Sequence, residues 1–203
     1  MLNTEKQTIV FATHNENKVK EIHDIMKDIP IHDKIDIISL RDAGIYDDIE
    51  ETGETYEQNA IIKAKFATEK TGLPAFADDS GLEIRALNNK PGIYSARYLG
   101  EDTPYDIKMK HILADLKDKD RFACYKCAIA FVTPIGNVTT SMGILNGNIA
   151  FERSNGPYGF AYDKIFYIPD YQKTFADLPP EIKNKISHRA MALRNLFNHY
   201  VTI

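Results

Sequence analysis

The first eighty residues alternate short apolar runs with stretches that carry apolar residues at helical spacing. The pattern predicts strands at 8–12, 36–40 and 75–77, and helices at 17–27 and 55–71. Strands that alternate with helices favour a parallel or mixed sheet wrapped by helices. The chain is therefore predicted to be an α/β protein.

The second half of the chain has a different pattern. A helix is predicted at 104–116, and two apolar runs at 122–133 and 137–145 predict a long antiparallel hairpin. A short strand at 165–168 and a last helix capped by Ser187 complete the prediction. The core face of that helix is predicted at Leu193, Leu196, Phe197 and Tyr200. We expect one domain, 1–203, with two lobes and a cleft between them.

Composition narrows the function. The length of 203 residues and the 43% of hydrophobic residues suit one soluble globular domain. A formal net charge of -4 makes duplex nucleic acid a poor partner. No apolar stretch has the length of a membrane span and the first residues lack a secretory signal, so a cytoplasmic protein is expected.

Cys124 and Cys127 form a lone Cys-x-x-Cys inside a predicted strand. A spacing of three sends two strand side chains to opposite faces. The pattern therefore does not favour a redox or zinc site.

The segment that begins at Ala75 delivers two adjacent carboxylates, Asp78 and Asp79, followed by Ser80 and Gly81. Two like charges this close raise proton affinity or require a cation. A hard divalent metal would balance them through carboxylate oxygens. The alternative is a strand that ends in an Asx-type turn, because Asp, Ser and Gly are common turn residues.

Other segments carry candidate groups for binding a phosphate. The turn at Thr13-His-Asn-Glu-Asn-Lys18 offers the backbone N–H groups of a helix start and a lysine one turn later. Lys63 borders the buried face of its helix and can extend its ammonium into a cleft. Glu50 and Glu51 either join Asp79 around a metal or belong to a solvated loop. The alternative for the turn is an Asn cap with a solvated lysine, and the alternative for Lys63 is a solvated lysine.

Candidate groups for reading a base lie near the C-terminus. The segment Lys183-Asn-Lys-Ile-Ser-His-Arg189 concentrates cations at a helix start, where side-chain donors can reach carbonyl oxygens of a base. The aromatic loop Tyr158 to Tyr162 can stack on a base, although loop aromatics are often packing anchors.

Together these segments resemble the inosine triphosphate pyrophosphatase family over nearly the whole chain. The segments that carry the resemblance are Thr13 to Lys18 with Glu21, Glu51-Thr-Gly53, Asn59-Ala60 with Lys63-Ala64, Ala77-Asp-Asp-Ser-Gly81, Pro91 to Tyr98, Gly159-Phe-Ala-Tyr-Asp163 with Ile165-Phe166, and Ser187-His-Arg189. Each is weak by itself, but their shared order is specific.

The resemblance implies an elongated central mixed sheet flanked by helices, an active-site cleft between two lobes, and a homodimer. It implies Mg²⁺-dependent hydrolysis of ITP, dITP or XTP to the monophosphate and pyrophosphate. Glu50 and Asp79 would bind the metal, and Asp79 would also accept the proton of the attacking water. The residues implied to bind the substrate are Thr13, His14, Asn15, Glu16, Asn17, Lys18, Lys63, Ser80, Phe160, Ala161, Tyr162, Asp163, Lys183, His188 and Arg189.

Three positions depart from the family pattern. Ala161 and Lys164 replace a glycine and a proline of the aromatic loop, and Gln58 replaces a glutamate. If the glycine requires a positive φ, Ala161 costs about 1 kcal/mol or more. Two other functions stay open: a pyrophosphatase for other modified or damaged nucleotides, and a nucleotide-binding sensor without turnover.

Overall fold

A computed structural model describes residues 6–200, with side chains described to residue 198. In this part of the chain, eight strands form one sheet in the order β2-β1-β3-β5-β6-β7-β8, with β4 beside β3. The elements are β1 Gln7–Phe11, α1 Glu16–Met26, β2 Ile35–Ser39, α2 Tyr56–Thr71, β3 Ala75–Ile84, β4 Lys90–Pro91, α3 Tyr105–Asp115, β5 Phe122–Val132, β6 Val138–Ile149, β7 Phe166–Ile168, β8 Lys173–Thr174, α4 Pro180–Ile186 and α5 His188–Tyr200.

The sheet is mixed, as predicted. β1 pairs in parallel with β2 and with β3, whereas β7 is antiparallel to β6 and to β8. The five-residue connection between the neighbouring strands β5 and β6 fits the predicted hairpin. The predicted helices and strands lie within a few residues of the observed ones.

One strand differs from its prediction. β3 does not end at Ala77 but continues to Ile84, so Asp78 and Asp79 lie inside the strand. The turn interpretation of this segment is therefore wrong. Aspartate is unfavourable in strands, and a strand here requires a partner for each carboxylate.

The chain divides into two compact units. The first contains residues 6–79, 127–143 and 189–200, and the second contains 80–126 and 144–188. The single two-lobed domain with a cleft stays a prediction.

The core of the first unit lies on both faces of its strands. Phe11 and Phe76 stack with ring centroids 4.7 Å apart and pack with the apolar residues of α1 and α5. The next residues along these two strands, Ala12 and Ala77, pack instead with the alanines of α2. Successive strand residues face opposite sides, so each layer of helices covers one side. Leu193, Leu196 and Phe197 are buried as predicted, whereas the side chain of Tyr200 lies outside the described residues.

The second unit is built around buried aromatic rings. Tyr125 of β5 lies 4.5 Å from Phe166 of β7 and 6.2 Å from Phe175, measured between ring centroids. The buried positions of α3 are Lys108, Met109 and Ile112. Tyr125 of the aromatic cluster donates its hydroxyl to Asp163, in the loop that precedes β7.

Cys124 and Cys127 are both buried and both carry free thiols. Burial raises the pKa of each thiol above its ordinary value. Both thiols are therefore weak nucleophiles and weak metal ligands at neutral pH. Among the described helices, none combines the length and apolar character that crossing a membrane requires.

Candidate active site

The turn from β1 into α1 is organised by Asn15. Its side-chain oxygen accepts hydrogen bonds from the backbone N–H groups of Asn17, at 3.0 Å, and Lys18, at 3.3 Å. Thr13 accepts from the backbone N–H of Asn15 at 3.2 Å. These contacts match an N-cap, which is the alternative interpretation of this turn. Two of the backbone donors predicted to bind an anion are thus already satisfied by Asn15.

Three other predicted ligands of this turn are exposed: His14, Glu16 and Asn17. The imidazole Nε2 of His14 lies 3.0 Å from the backbone oxygen of Asp47. The carboxylate of Glu16 accepts from Arg41 at 2.8 Å. The structure does not place these three side chains with the buried acidic residues of β3.

The buried carboxylate of Asp78 binds two cationic side chains. Lys18 donates to its Oδ1 at 3.0 Å, and Arg189 donates to its Oδ2 from Nε at 3.1 Å and from Nη2 at 2.9 Å. Arg189 also donates to Glu21 of α1 at 2.5 Å. The carboxylate therefore ties α1 and the start of α5 to β3.

The charges around Asp78 outweigh the cost of burying it. Burial disfavours the carboxylate, but Lys18 and Arg189 hold the pKa of Asp78 well below its usual range. The carboxylate stays charged across the physiological range and resists protonation. Asp78 is thus suited to holding cationic side chains in place and unsuited to accepting a proton.

Arg189 is bound by two carboxylates. Its side chain is 2% exposed and its guanidinium is directed at Asp78 and Glu21. A buried arginine held in this way is fixed in position. Arg189 lies in the same unit as Lys18, and its role in reading a base stays a prediction.

Asp79 faces a different set of partners. Asn59 of α2 donates its side-chain N–H to Oδ2 of Asp79 at 3.0 Å. Lys63, one turn further along α2, has its ammonium 3.8 Å from Oδ1 of Asp79 and donates to Glu51 at 2.5 Å. Lys63 is buried, in contrast to the alternative of a solvated lysine, and lies between two carboxylates.

Asn59 is itself held by the loop before α2. Its side-chain oxygen accepts from the backbone N–H of Gly53 at 2.8 Å. A Cβ at Gly53 would lie 2.6 Å from that oxygen, so the close approach requires glycine. The cap of α2 differs slightly from a regular capping box. Thr55 accepts from the backbone N–H of Gln58, but Gln58 accepts from the backbone N–H of Glu54.

The pKa of Asp79 shifts in the opposite direction to that of Asp78. Burial raises the pKa of Asp79, and Glu51 adds to the rise against the opposing effects of Lys63 and Asn59. For Lys63, burial works against the ammonium, but Asp79, Asp78 and Glu51 outweigh it and raise the pKa. Asp79 therefore has a higher proton affinity than an ordinary aspartate, beside a lysine that keeps its charge.

Glu50, the predicted metal ligand, is exposed, whereas its neighbour Glu51 is half-buried and bonded to Lys63. The candidate metal ligands are accordingly Glu51 and Asp79. Two carboxylates suit Mg²⁺, which usually takes one or two of them and completes its shell with substrate phosphates and water. Within the described residues, no cluster of three or more His, Cys, Asp or Glu side chains is suited to a metal ion.

The second unit brings together several of the predicted base-binding residues. Asp163 is buried and accepts from the ammonium of Lys183 at 2.7 Å and from the backbone N–H of Phe160 at 3.1 Å. A Cβ at Gly159 would collide with Asp163 and lie 2.5 Å from the ammonium of Lys183. Glycine is required there by this close packing and by a φ of +88°.

The aromatic loop uses its residues differently from the prediction. Tyr162 is buried and donates its hydroxyl to the backbone oxygen of Ser95 at 2.8 Å, so it is a packing anchor. Phe160 and Ala161 are half-buried. Ala161 adopts φ +54°, the left-handed conformation expected if a glycine normally stands there.

The other two predicted residues lie at the start of a helix and inside a strand. His188 is buried at the start of α5, and its imidazole stacks on the ring of Tyr125 with centroids 4.7 Å apart. Ser80 is half-buried within β3, at the first position of the second unit.

Three residues of these sites are not identified as site residues from the sequence: Asn59, Glu21 and Tyr125. Asn59 and Glu21 belong to the motifs that carry the family resemblance, which is the available signal. Tyr125 belongs to a strand-like apolar run and has no local signal.

Comparison with known proteins places the chain in a family. The sequence model of the Ham1 family matches residues 9–199. A dITP/XTP pyrophosphatase of Flavobacterium johnsoniae is 43% identical over 191 residues, which covers 94% of this chain and 96% of the relative. A dITP/XTP pyrophosphatase of Bacillus subtilis is 43% identical over 190 residues, covering 92% and 93%.

Solved structures agree with these relatives. A Ham1 protein from Coxiella burnetii has a TM-score of 0.86 and 40% identity, covering 97% of this chain and 100% of that one. The Ham1 protein of Staphylococcus aureus has a TM-score of 0.83 and 38% identity, covering 97% and 98%.

The fold and the sites define a mixed α/β protein in which buried lysines lie beside buried carboxylates. The chain belongs to the Ham1 family. The family resemblance that its motifs indicate is confirmed.

Proposed function

We propose that the protein hydrolyses the non-canonical purine nucleoside triphosphates ITP, dITP and XTP to the monophosphate and pyrophosphate. Its curated relatives are named dITP/XTP pyrophosphatases and cover nearly the whole chain. The structural observation that carries the proposal is Asp79, a buried carboxylate of raised pKa that lies beside Lys63.

Asp79 is the proposed base for the attacking water. A carboxylate is a stronger base when burial raises its pKa toward neutrality. Asn59 donates to Oδ2 of Asp79 and thereby fixes the orientation of the carboxylate. Asp78 would not compete for this role, because its ion pairs hold its pKa low.

Lys63 and Lys18 are the proposed partners of the triphosphate. Hydrolysis between the alpha and beta phosphates needs positive charge near the leaving pyrophosphate, where negative charge develops. The acidic neighbours of Lys63 raise its pKa, so its ammonium stays charged. Local capture by such lysines is compatible with a chain of net charge -4.

Mg²⁺ is the proposed cofactor, and Glu51 and Asp79 are the side chains that would hold it. A bound Mg²⁺ supplies charge neutralisation at the phosphates. Glu51 raises the pKa of Asp79, and one ammonium, that of Lys63, only partly offsets the negative charge of the two carboxylates. Their charges therefore fit a cation.

The second unit is proposed to read the base. Lys183 and His188 carry hydrogen-bond donors, and Asp163 holds Lys183 in position. These donors would be directed at the 6-keto group of hypoxanthine or xanthine. If adenine were bound instead, they would face its amino group and lack an acceptor. Sites that depend on such hydrogen bonds discriminate by about 10⁴ or more.

A nucleotide is thus the proposed partner, and duplex nucleic acid and membranes are not. A homodimer is proposed from the family resemblance, and a cytoplasmic location from the sequence pattern. Sedimentation of the purified protein tests the dimer: a molecular mass near twice 23.0 kDa supports it, and a mass near 23.0 kDa contradicts it.

A panel of triphosphates tests the activity directly. The protein is incubated with Mg²⁺ and ITP, dITP, XTP, ATP, GTP or oxidised and pyrimidine analogues, and the products are separated by anion exchange. We expect monophosphate and pyrophosphate from ITP at least about tenfold more efficiently than from ATP. Preference for a modified pyrimidine would favour the damaged-nucleotide function, and saturable ITP binding without pyrophosphate would favour a sensor.

A further inference from the structure

Tyr125 joins two of the proposed base-reading groups and belongs to none of the motifs that define the site. It lies on β5 of the second unit, where its side chain is buried. Its hydroxyl donates to Oδ1 of Asp163 at 3.1 Å. Its ring stacks nearly flat on the imidazole of His188, with an interplanar angle of 11°.

The hydrogen bond of Tyr125 completes the set of donors around Asp163. Lys183 and the backbone N–H of Phe160 both donate to Oδ2, and Tyr125 donates to Oδ1. Both oxygens are therefore occupied, and the carboxylate plane is fixed from two sides. The ammonium of Lys183 is fixed in turn, because it is bonded to Asp163 and lies 4.4 Å from the ring centroid of Phe175.

The stacking contact of Tyr125 fixes the imidazole of His188, which belongs to another element. His188 stands at the start of α5, whereas Asp163 belongs to the aromatic loop and Lys183 to α4. Flat stacking at 4.7 Å sets the plane in which the imidazole N–H groups can point. One tyrosine thereby sets the geometry of three polar side chains from three segments of the second unit.

The hydroxyl is a dependable donor in this environment. Burial, followed by the charge of Asp163, raises the pKa of Tyr125 well above its ordinary value. The phenol therefore keeps its proton at every pH at which the enzyme would work.

We propose that Tyr125 is a positioning residue for base specificity: it holds Asp163, and through it Lys183, together with His188 in the arrangement that reads the 6-keto purine. This inference rests on the proposed function. Tyr125 need not touch the base. Its effect is on the base end of the nucleotide and not on the phosphate end.

The substitution Tyr125→Phe isolates the hydroxyl, because phenylalanine keeps the ring that stacks on His188. Tyr171→Phe is the matched control, since Tyr171 belongs to the same unit but is exposed. Calorimetry measures the Kd of IMP and of tripolyphosphate for each variant. Kinetics with ITP and ATP measure KM and kcat in parallel.

We expect Tyr125→Phe to weaken IMP binding by about five- to thirtyfold, the effect of one lost hydrogen bond to a buried carboxylate. KM for ITP rises by a similar factor, kcat changes by less than about twofold, and the ratio of ITP to ATP efficiency falls. Binding of tripolyphosphate, which has no base, is unchanged. Tyr171→Phe matches the wild type in all of these measurements.

Two results would overturn the inference: unchanged IMP binding in Tyr125→Phe, or equal losses for IMP and tripolyphosphate, which a general structural role would give. If the wild type releases no pyrophosphate from ITP, the proposed function fails, whereas the IMP comparison still decides the role of Tyr125. A structure of the wild type with IMP gives a check that needs no variant. In it, the Tyr125 hydroxyl must remain bonded to Asp163, and a carboxylate turned away from Tyr125 contradicts the inference.

Discussion

Asp78 and Asp79 are consecutive in the chain, yet their carboxylates lie on opposite faces of β3. Asp78 faces the side covered by α1 and α5 and pairs with Lys18 and Arg189. Asp79 faces the side covered by α2 and meets Asn59 and Lys63. Opposite faces give the two carboxylates opposite pKa shifts, which separates a structural aspartate from one suited to chemistry.

The raised pKa of Asp79 predicts a pH dependence. A base must be deprotonated to act, so kcat/KM for ITP should fall with acid through a pKa above the ordinary aspartate value of 3.8. Higher Mg²⁺ concentrations should move this acid limb to lower pH, because a bound metal competes with the proton. A pH profile at low and high Mg²⁺ checks both statements. An acid limb that does not respond to Mg²⁺ would argue against Asp79 as a ligand.

The two adjacent glutamates allow a matched pair of variants that tests which of them binds the metal. Glu51→Gln should raise the Mg²⁺ concentration at half-maximal activity by about 10- to 100-fold, since it removes a charged ligand candidate. Glu50→Gln removes the same charge from an exposed neighbour and should leave that concentration within about twofold. Mg²⁺ titrations at saturating ITP measure the difference. The reverse order of effects would restore Glu50 as the ligand.

The close packing at Gly53 predicts that a substitution there lowers activity separately from any change in stability. The Cβ of Gly53→Ala would meet the Asn59 oxygen at 2.6 Å, displace the donor of Asp79, and lower kcat/KM by about tenfold or more. Gly72→Ala is the control: its φ of +69° makes alanine strained, but nothing lies within 4 Å of its Cβ. It should cost about 1 kcal/mol of unfolding free energy with unchanged activity. Equal activity in both variants would contradict the role of Asn59.

The left-handed backbone of Ala161 predicts a gain in stability. Ala161→Gly should raise the unfolding free energy by about 0.5 to 1 kcal/mol, because it relieves the strain of φ +54°. Ala114→Gly, at an exposed position in the last turn of α3, should instead lower it by up to about 1 kcal/mol. Urea denaturation measures both. A loss in Ala161→Gly would show that the loop holds Ala161 without strain.

The sequence was sufficient for the regular elements of the fold. The buried strand Gln7–Phe11 and the helix Tyr56–Thr71 follow from hydrophobic periodicity. Local periodicity decides such elements because each buries one face. It failed at β3, where local preference favours a turn and tertiary partners outweigh it.

The site could be predicted only where its residues belong to recognisable motifs. Lys63 and Asp79 were identified in this way, and the structure places them 3.8 Å apart. The anchoring of Arg189 was not predictable, because its partner Asp78 lies 111 positions away in the chain. The contact of Tyr125 with Asp163 spans 38 positions, and no local pattern marks either distance.

The variants Asp78→Asn and Asp79→Asn separate the structural carboxylate from the one proposed as the base. Asp78 has a lowered pKa, so its stabilising effect is present above the unfolded pKa and is lost as the pH falls through the folded one. The raised pKa of Asp79 has the opposite sign, so its charge opposes folding at neutral pH.

Urea denaturation and ITP kinetics of both variants at neutral pH are the measurement. We expect Asp78→Asn to lose about 3–5 kcal/mol of unfolding free energy, because it breaks a buried ion pair. We expect Asp79→Asn to be at least as stable as the wild type and to lose about 10²- to 10⁴-fold in kcat. A stable Asp78→Asn together with near-normal turnover in Asp79→Asn would show that Asp78 is not the structural carboxylate and Asp79 is not the base.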